Sequence, residues 1–307
     1  MATSDIDILI CEVGLRDGLQ NAIGIMPTNI KKEWIEGLIA SGIKEIEACS
    51  FVSSKFIKGM EDADEIVSFA SAFNKITVAA LAPNLFGVKN AMRAGVAKIS
   101  LPVSVSEAHS HANVKKSRTE MITEVRLACE YRDSMEGPLR PSLEVGLSTA
   151  FGCGISGKIP EYETIKTAVQ CVSAGVDGIT LSDTSGVGNP AQVKSLFKAV
   201  KKEVGELLSG VHLHNTYGLG LANAYAAIEA GATTLDSSLG GLGGCPFAPG
   251  AAGNIVTEDL VFMLEQQGLR TGIDLNKLLK CRDIVKRGLP TDNLYGYLAG
   301  AGIPKYF

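Results

Sequence analysis

The sequence predicts an α/β fold, a TIM (β/α)8 barrel with a short helical C-terminal extension. Three observations carry this. Eight short β-branched, apolar runs recur along the chain, segments with helical spacing lie between them, and a repeated Ala/Ser-Gly-Val/Ile/Ala turn marks where helix gives way to strand. An open doubly wound sheet is the alternative, but no G-x-G-x-x-G follows the first run, and the glycine-rich element comes after the eighth.

The runs are Ile6–Val13, Ile43–Phe51, Ile76–Ala82, Lys98–Val105, Pro141–Ser148, Gly178–Ser182, Gly210–His214 and Thr233–Ser238. Helical spacing is read at Ile30–Ala40, Ala63–Ala72, Phe86–Ala94, Glu120–Asp133, Tyr162–Ala174, Pro190–Val204 and Leu221–Ala230. Four junctions repeat the same turn: Ser41-Gly42-Ile43, Ala94-Gly95-Val96, Ala174-Gly175-Val176 and Ala230-Gly231-Ala232, each with a glycine able to serve as a left-handed cap. Two further helical stretches, Leu260–Gln267 and Leu275–Lys286, follow the eighth run. A single catalytic domain is expected over 1–307, with the barrel at about 6–260 and the extension at about 261–307.

Composition bounds the function. The 307 residues are 46% hydrophobic and include 34 glycines, with a net charge of −4, enough for a large core and without the basic footprint of a nucleic-acid or membrane-surface binder. A small neutral or anionic molecule is the expected partner. Seven cysteines, an odd number with no C-x-x-C pair, argue against a disulfide framework or a structural zinc site. The start Met1-Ala2-Thr3-Ser4-Asp5 lacks a basic n-region and an apolar h-region, and no run approaches eighteen apolar residues, so a cytoplasmic protein is expected.

Candidate chemistry gathers at the C-terminal ends of the runs, where barrel active sites lie. The first ends in Glu12-Val13-Gly14-Leu15-Arg16-Asp17-Gly18, the second in Glu45-Ile46-Glu47-Ala48-Cys49-Ser50, the sixth in Ser182-Asp183-Thr184, and the seventh in His212-Leu213-His214. Residues two apart on a strand share a face, so His212 and His214 point the same way, a geometry suited to a divalent metal; the bland alternative is a hydrogen-bonded pair lining the barrel. The chain's other two histidines form His109-Ser110-His111 in a polar segment, which reads as a solvated loop. A carboxylate such as Asp17 directly after a buried strand is costly unless paired, hydrogen-bonded or bound to a cation. Arg16 and Asp17 are read either as site residues or as a pair tying a loop, and Glu47 either as a site residue or as a partner of Arg16. Gly240-Gly241-Leu242-Gly243-Gly244-Cys245-Pro246 reads as a loop able to close over a ligand, with Cys245 at its tip a candidate acid or nucleophile.

These segments, together with Leu19-Gln20-Asn21, Ser50-Phe51-Val52-Ser53, Phe151-Gly152-Cys153 and Thr216-Tyr217-Gly218, resemble the 3-hydroxy-3-methylglutaryl-CoA lyases in one register from about Ile8 to about Leu279. The resemblance implies a TIM barrel that uses magnesium or manganese to cleave its acyl-CoA substrate to acetyl-CoA and acetoacetate. It implies Asp17, His212, His214 and Asn254 as metal ligands, Arg16 at the enolate oxygen, Glu47 assisting, and Cys245 on a mobile loop. His212 is also counted among the catalytic groups. Substrate and CoA contacts are expected from Arg16, Gln20, Asn113, Asp183 and Thr184, and a homodimer is implied. One carboxylate, two imidazoles and an amide oxygen suit a hard octahedral cation and leave positions open for a chelating substrate.

Several positions depart from the family pattern: Leu15 replaces a proline, Asn215 an aspartate, Ser182 a glycine, and Ala22-Ile23 a charged pair. The basic residues expected just before Asn113 are missing, so the phosphate contacts are expected either to be reduced or to come from other residues such as His109, His111, Lys115 or Lys116, which leaves open a related 3-hydroxyacyl-CoA or a free 3-hydroxy acid. Two rivals remain at this level. One is a condensing enzyme of the isopropylmalate or homocitrate synthase type, towards which Asn215 leans, and the other is a non-catalytic metal-binding barrel.

Overall fold

The computed structural model describes residues 6–53, 57–135, 140–243 and 253–307. Eight parallel strands close into a barrel in chain order: β1 (Leu9–Glu12), β2 (Glu45–Ser50), β3 (Thr77–Leu81), β4 (Lys98–Ser104), β5 (Ser142–Ser148), β6 (Gly178–Asp183), β7 (Leu208–Leu213) and β8 (Thr234–Ser237). Each lies within or beside the run that predicted it. Between and after them come α1 (Thr28–Ser41), α2 (Ala63–Ser71), α3 (Leu85–Ala94), α4 (Glu107–Val114), α5 (Arg118–Ser134), α6 (Glu161–Ser173), α7 (Pro190–Val204), α8 (Gly220–Glu229), α9 (Thr257–Gln266), α10 (Leu275–Gly288) and α11 (Leu298–Ala301). Among the described residues, no helix is long and apolar enough to cross a membrane.

The repeated glycine turn has the conformation its sequence requires. Gly42, Gly95, Gly175 and Gly231 have φ of 102°, 87°, 102° and 101°, the left-handed region that closes a helix and sends the chain back into the sheet. At Gly42 a side chain is excluded twice over, because a Cβ would also lie 2.3 Å from the Gly272 carbonyl.

The main core lies between sheet and helices. Outward strand residues such as Leu101, Val103, Val145, Leu147, Ile179, Leu181 and Leu235 are fully buried against Ile66, Val67, Val88, Val125, Leu196 and Phe197 of the helices. The inward face is polar instead, with Glu45, Glu47, Lys98, Ser100, Glu144, Thr180, His212 and Asp236 alternating with those apolar positions. Lys98 Nζ sits between Glu45 Oε1 at 2.9 Å and Glu144 Oε2 at 2.8 Å, tying β2, β4 and β5 together from inside.

The His109-Ser110-His111 segment is a helix, α4, and not the solvated loop its polarity suggested. Ser106 caps it by accepting the His109 N–H, which satisfies one of the orphan donors of the first turn. His109 is buried with Nδ1 2.8 Å from Ser104 Oγ, and burial lowers its pKa; His111 stays exposed.

The stretch Leu260–Gln267 falls largely in α9, the helix that follows β8, so the extension beyond the barrel is carried by α10 and α11. Three acids dock this end. Glu12, at the end of β1, accepts the N–H groups of Gly14 and Leu239 and the Thr257 hydroxyl. Glu258 accepts the Gly240 N–H and pairs with Arg282 of α10, while Asp259 accepts the N–H groups of Tyr297 and Leu298 ahead of α11.

Burial pushes the Glu12 carboxyl from an ordinary 4.5 up to about 8, against the pull of Thr257 and the two backbone donors. A raised folded-state pKa means that the fold favours the protonated acid. This contribution to stability is full below about 4.5 and is lost as pH climbs through about 8. Glu12→Gln keeps an acceptor oxygen without the charge, so the stability it loses relative to the parent is expected to shrink between pH 5 and pH 8. Thermal denaturation of both proteins across that range checks this; a constant difference would contradict it.

Candidate active site

The chain leaves β1 through a π-helical turn, Gly14–Gly18, in which the Val13 carbonyl accepts the N–H groups of Asp17 at 2.8 Å and Arg16 at 3.1 Å. Gly14 makes the turn possible, since a Cβ there would lie 2.5 Å from Glu12 Oε1 and 2.7 Å from the Trp34 ring. The turn buries Arg16 and Asp17 at the C-terminal mouth of the barrel. Arg16 Nε donates to Glu47 Oε2 at 2.6 Å and Nη1 to Asp17 Oδ1 at 2.5 Å, so both readings of these residues hold together: Arg16 pairs with Glu47, and all three face the cavity.

The histidine pair faces the same point. His212 Nε2 and His214 Nε2 are 3.2 Å apart, and His214 Nε2 is 3.6 Å from Asp17 Oδ2. Asp236 on β8 lies 3.1 Å from His212 Nδ1, which fixes the proton on that nitrogen and turns the Nε2 lone pair inward. One ligand atom from each of Asp17, His212 and His214 lies within 4.8 Å of the others.

Asn254 reaches the cluster through a short stretch laid beside the end of β7. His214 and Asn254 form an isolated antiparallel bridge, Asn215 N–H donates to the Gly253 carbonyl, and Ile255 N–H to that of Leu213. Asn254 Nδ2 donates to Asp17 Oδ2 at 2.6 Å and to the Leu242 carbonyl at 3.1 Å. Its Oδ1 is buried with no hydrogen-bond partner among the described residues. A buried amide oxygen is costly to leave unsatisfied. A divalent cation held by Asp17, His212 and His214 would offer such an oxygen a partner, and a carboxylate, two imidazoles and an amide are a donor set that fits such a metal.

Burial alone would raise the Asp17 carboxyl, but Arg16 and the two histidines hold it well below the usual range, ionised as a ligand must be. Glu47 goes the other way: burial raises it, and the pull of Arg16 does not fully offset that and the repulsion from Asp236. The Arg16 guanidinium, against the cost of burial, is held more firmly protonated by Glu47 and Asp17.

The cluster opens into a cavity of about 910 Å³. Gln20, Asn113 and Thr184 line it, whereas Asp183 turns away and accepts the N–H groups of Val187 and Gly188 in its own loop. Lys115, Lys116, Arg93 and Asn84 stand at the mouth; Lys116 pairs with Glu124, and Lys115 Nζ donates to the Ala112 carbonyl. Asn215 is used locally, accepting the N–H of Gly220 at the start of α8. Cys245 lies outside the described residues. The cavity also takes in polar residues the sequence reading did not single out, Asp236, Lys98 and Glu144 among them, and Ser50, which it named only within a motif. Asp236 had a signal in the lone acid of the eighth run; Ser50, whose buried Oγ has no partner among the described residues, had none beyond its place in a motif.

A family model described as HMGL-like matches residues 7–285. The rat 3-hydroxy-3-methylglutaryl-CoA lyase, cytoplasmic, is 38% identical over 278 residues, 91% of this chain and 80% of that protein. The hydroxymethylglutaryl-CoA lyase of Bacillus subtilis is 36% identical over 291 residues, 94% of this chain and 96% of that protein. Among solved structures, an HMG-CoA lyase from Acinetobacter baumannii in complex with coenzyme A and 3-methylmalate superposes with a TM-score of 0.91 at 37% identity, covering 100% of this chain and 98% of that one. Matched over most of its length by the family model and by these relatives, the chain belongs to the HMGL-like family.

Proposed function

We propose that this protein is a divalent-metal-dependent carbon–carbon lyase that cleaves 3-hydroxy-3-methylglutaryl-CoA, or a close 3-hydroxyacyl-CoA, to acetyl-CoA and a 3-oxo acid, acetoacetate for the parent substrate. The observation that carries this is the convergence of Asp17, His212 and His214 beside a guanidinium, with Asn254 bonded to Asp17, at a cavity large enough for an acyl thioester. The relatives' names support the same reaction.

Asp17, His212, His214 and Asn254 would hold magnesium or manganese, which when bound would supply a Lewis acid to make the tertiary C3 hydroxyl more acidic. The residues do the rest. A base takes the hydroxyl proton, and Glu47, its affinity for a proton raised by burial, is suited to that task. The C2–C3 bond then breaks as C3 becomes a carbonyl, and the electron pair passes to the thioester as an enolate. Arg16 has its Nε and Nη1 committed to Glu47 and Asp17, leaving Nη2 to donate to the enolate oxygen. Asp17 stays ionised against Nη1 after Glu47 has taken the proton, so the guanidinium is already in place when the charge develops. Cys245 is assigned the protonation of the enolate carbon on the strength of its motif, and Gln20, Asn113 and Thr184 are assigned to substrate binding.

Arg93 and Lys115 at the mouth are suited to CoA phosphates. A homodimer belongs to the same reading, implied by the family resemblance; a cytoplasmic location and one catalytic domain that includes the C-terminal helices are proposed from the sequence, the relatives including both cytoplasmic and mitochondrial forms.

Purified protein with magnesium or manganese is expected to release acetoacetate from 3-hydroxy-3-methylglutaryl-CoA, and EDTA to abolish the release. A folded, metal-loaded protein that releases none would overturn the assignment. Arg16→Lys retains the charge but not the planar fork; it should lose about 100- to 1,000-fold in kcat while still binding manganese, read by turnover and by a metal titration. Asp236→Asn should weaken manganese binding by about 10- to 100-fold, because His212 loses the acceptor that fixes its tautomer; isothermal titration would show it.

A further inference from the structure

The cavity does not end at the histidines. It continues into the barrel along β4, β5 and β6, past Ser100, Gly146, Thr180 and Ser182, to Lys98 and Glu144. The register stacks these positions side by side, with Pro102 opposite Gly146, Gly146 opposite Thr180, and Ser182 opposite His212. In barrels of this type the lumen is ordinarily filled by bulky branched side chains.

Gly146 is the plainest departure. Its φ lies outside the left-handed region, so the backbone does not call for glycine. A Cβ there would meet only Ser182 Oγ, at 3.8 Å, which is ordinary contact, so crowding does not call for it either. Glycine in the middle of a strand weakens it and commonly marks the approach of a ligand. What the missing side chain supplies here is space, one strand pairing away from the His212 level.

The walls of that space are hydroxyls and its floor is acidic. Glu45 and Glu144 share the single ammonium of Lys98, and Asp236 stands beside His212. Another carboxylate entering there would meet like charge, whereas a hydroxyl finds acceptors.

We propose that this deep end is a substrate sub-pocket, and that Gly146 determines specificity by keeping it open. The inference rests on the lyase reading. The group it receives is the C3 substituent R of a 3-hydroxyacyl-CoA, longer than methyl and ending in a neutral hydroxyl. Cleavage is balanced as for the methyl substrate. The C3 hydroxyl proton goes to the base, the C2–C3 pair becomes the enolate and is protonated at carbon to give acetyl-CoA, and R–CO–CH2–COO⁻ is released.

The test is acetyl-CoA release by the metal-loaded full chain from three thioesters, with R as methyl, 3-hydroxypropyl or 2-carboxyethyl. The hydroxypropyl substrate is expected to match or exceed the methyl one in kcat/KM and to exceed the carboxyethyl one at least tenfold. Gly146→Val should lower the hydroxypropyl-to-methyl ratio at least tenfold. Wild-type protein that cleaves the methyl substrate but handles the hydroxypropyl one tenfold worse overturns the sub-pocket and leaves the lyase reading standing, whether or not the valine variant folds. Equal rates for hydroxypropyl and carboxyethyl overturn the hydroxyl preference. Cleavage of none of the three overturns both readings.

Discussion

Arg16, held between Glu47 and Asp17, is the interaction on which the site depends. A guanidinium this deeply buried is tolerable only with its charge answered, and the two carboxylates answer it from different elements, one from β2 and one from the turn after β1. The consequences spread outward. Asp17 stays ionised, its second oxygen is free to receive the Asn254 amide, and that amide anchors the stretch beside β7 that also bridges to His214. Removing one member of a buried pair of this kind costs about 3–5 kcal/mol, because the other is left uncompensated.

The same tension runs through the lumen. Among the described residues, Asp17, Glu45, Glu47, Glu144 and Asp236 face inward, with Arg16 and Lys98 as the cations paired to them. A core of branched aliphatics would hold the barrel together at lower electrostatic cost. The apolar layer outside the sheet does that work here, so the lumen can carry an excess of negative charge towards which a divalent cation is attracted.

Much of this was legible in the sequence for identifiable reasons. The strands showed because both of their faces are buried, and the helix-to-strand junctions showed because a left-handed cap leaves few choices besides glycine. His212 and His214 announced a shared face through the two-residue period of a strand. What stayed hidden was set by where side chains turn, which composition does not print. The polar composition of α4 reads as a loop, although its holding contacts are short-range, the Ser106 cap and the burial of His109 against Ser104. Asp183 sits in the motif beside Thr184, yet only the fold shows its carboxylate committed to backbone donors of its own loop. The role of Asp236 needed the register of β7 against β8, which places it opposite His212.

The Asp17–Asn254 hydrogen bond spans 237 positions of the chain, and the bond from Thr257 to Glu12 spans 245. The first strand and the segment after the last are therefore fastened in part by Asp17 and Asn254, two of the residues proposed to hold the metal. During synthesis the N-terminal turn waits, Asp17 and Glu12 holding only their nearby partners Arg16 and Gly14, until residues 254–257 have left the ribosome. A partly made chain, however well its early βα units have packed, has no complete set of ligands. Competence to bind the ion thus arrives at one moment, when the ring closes, and metal capture would serve as a direct reporter of the final step of folding.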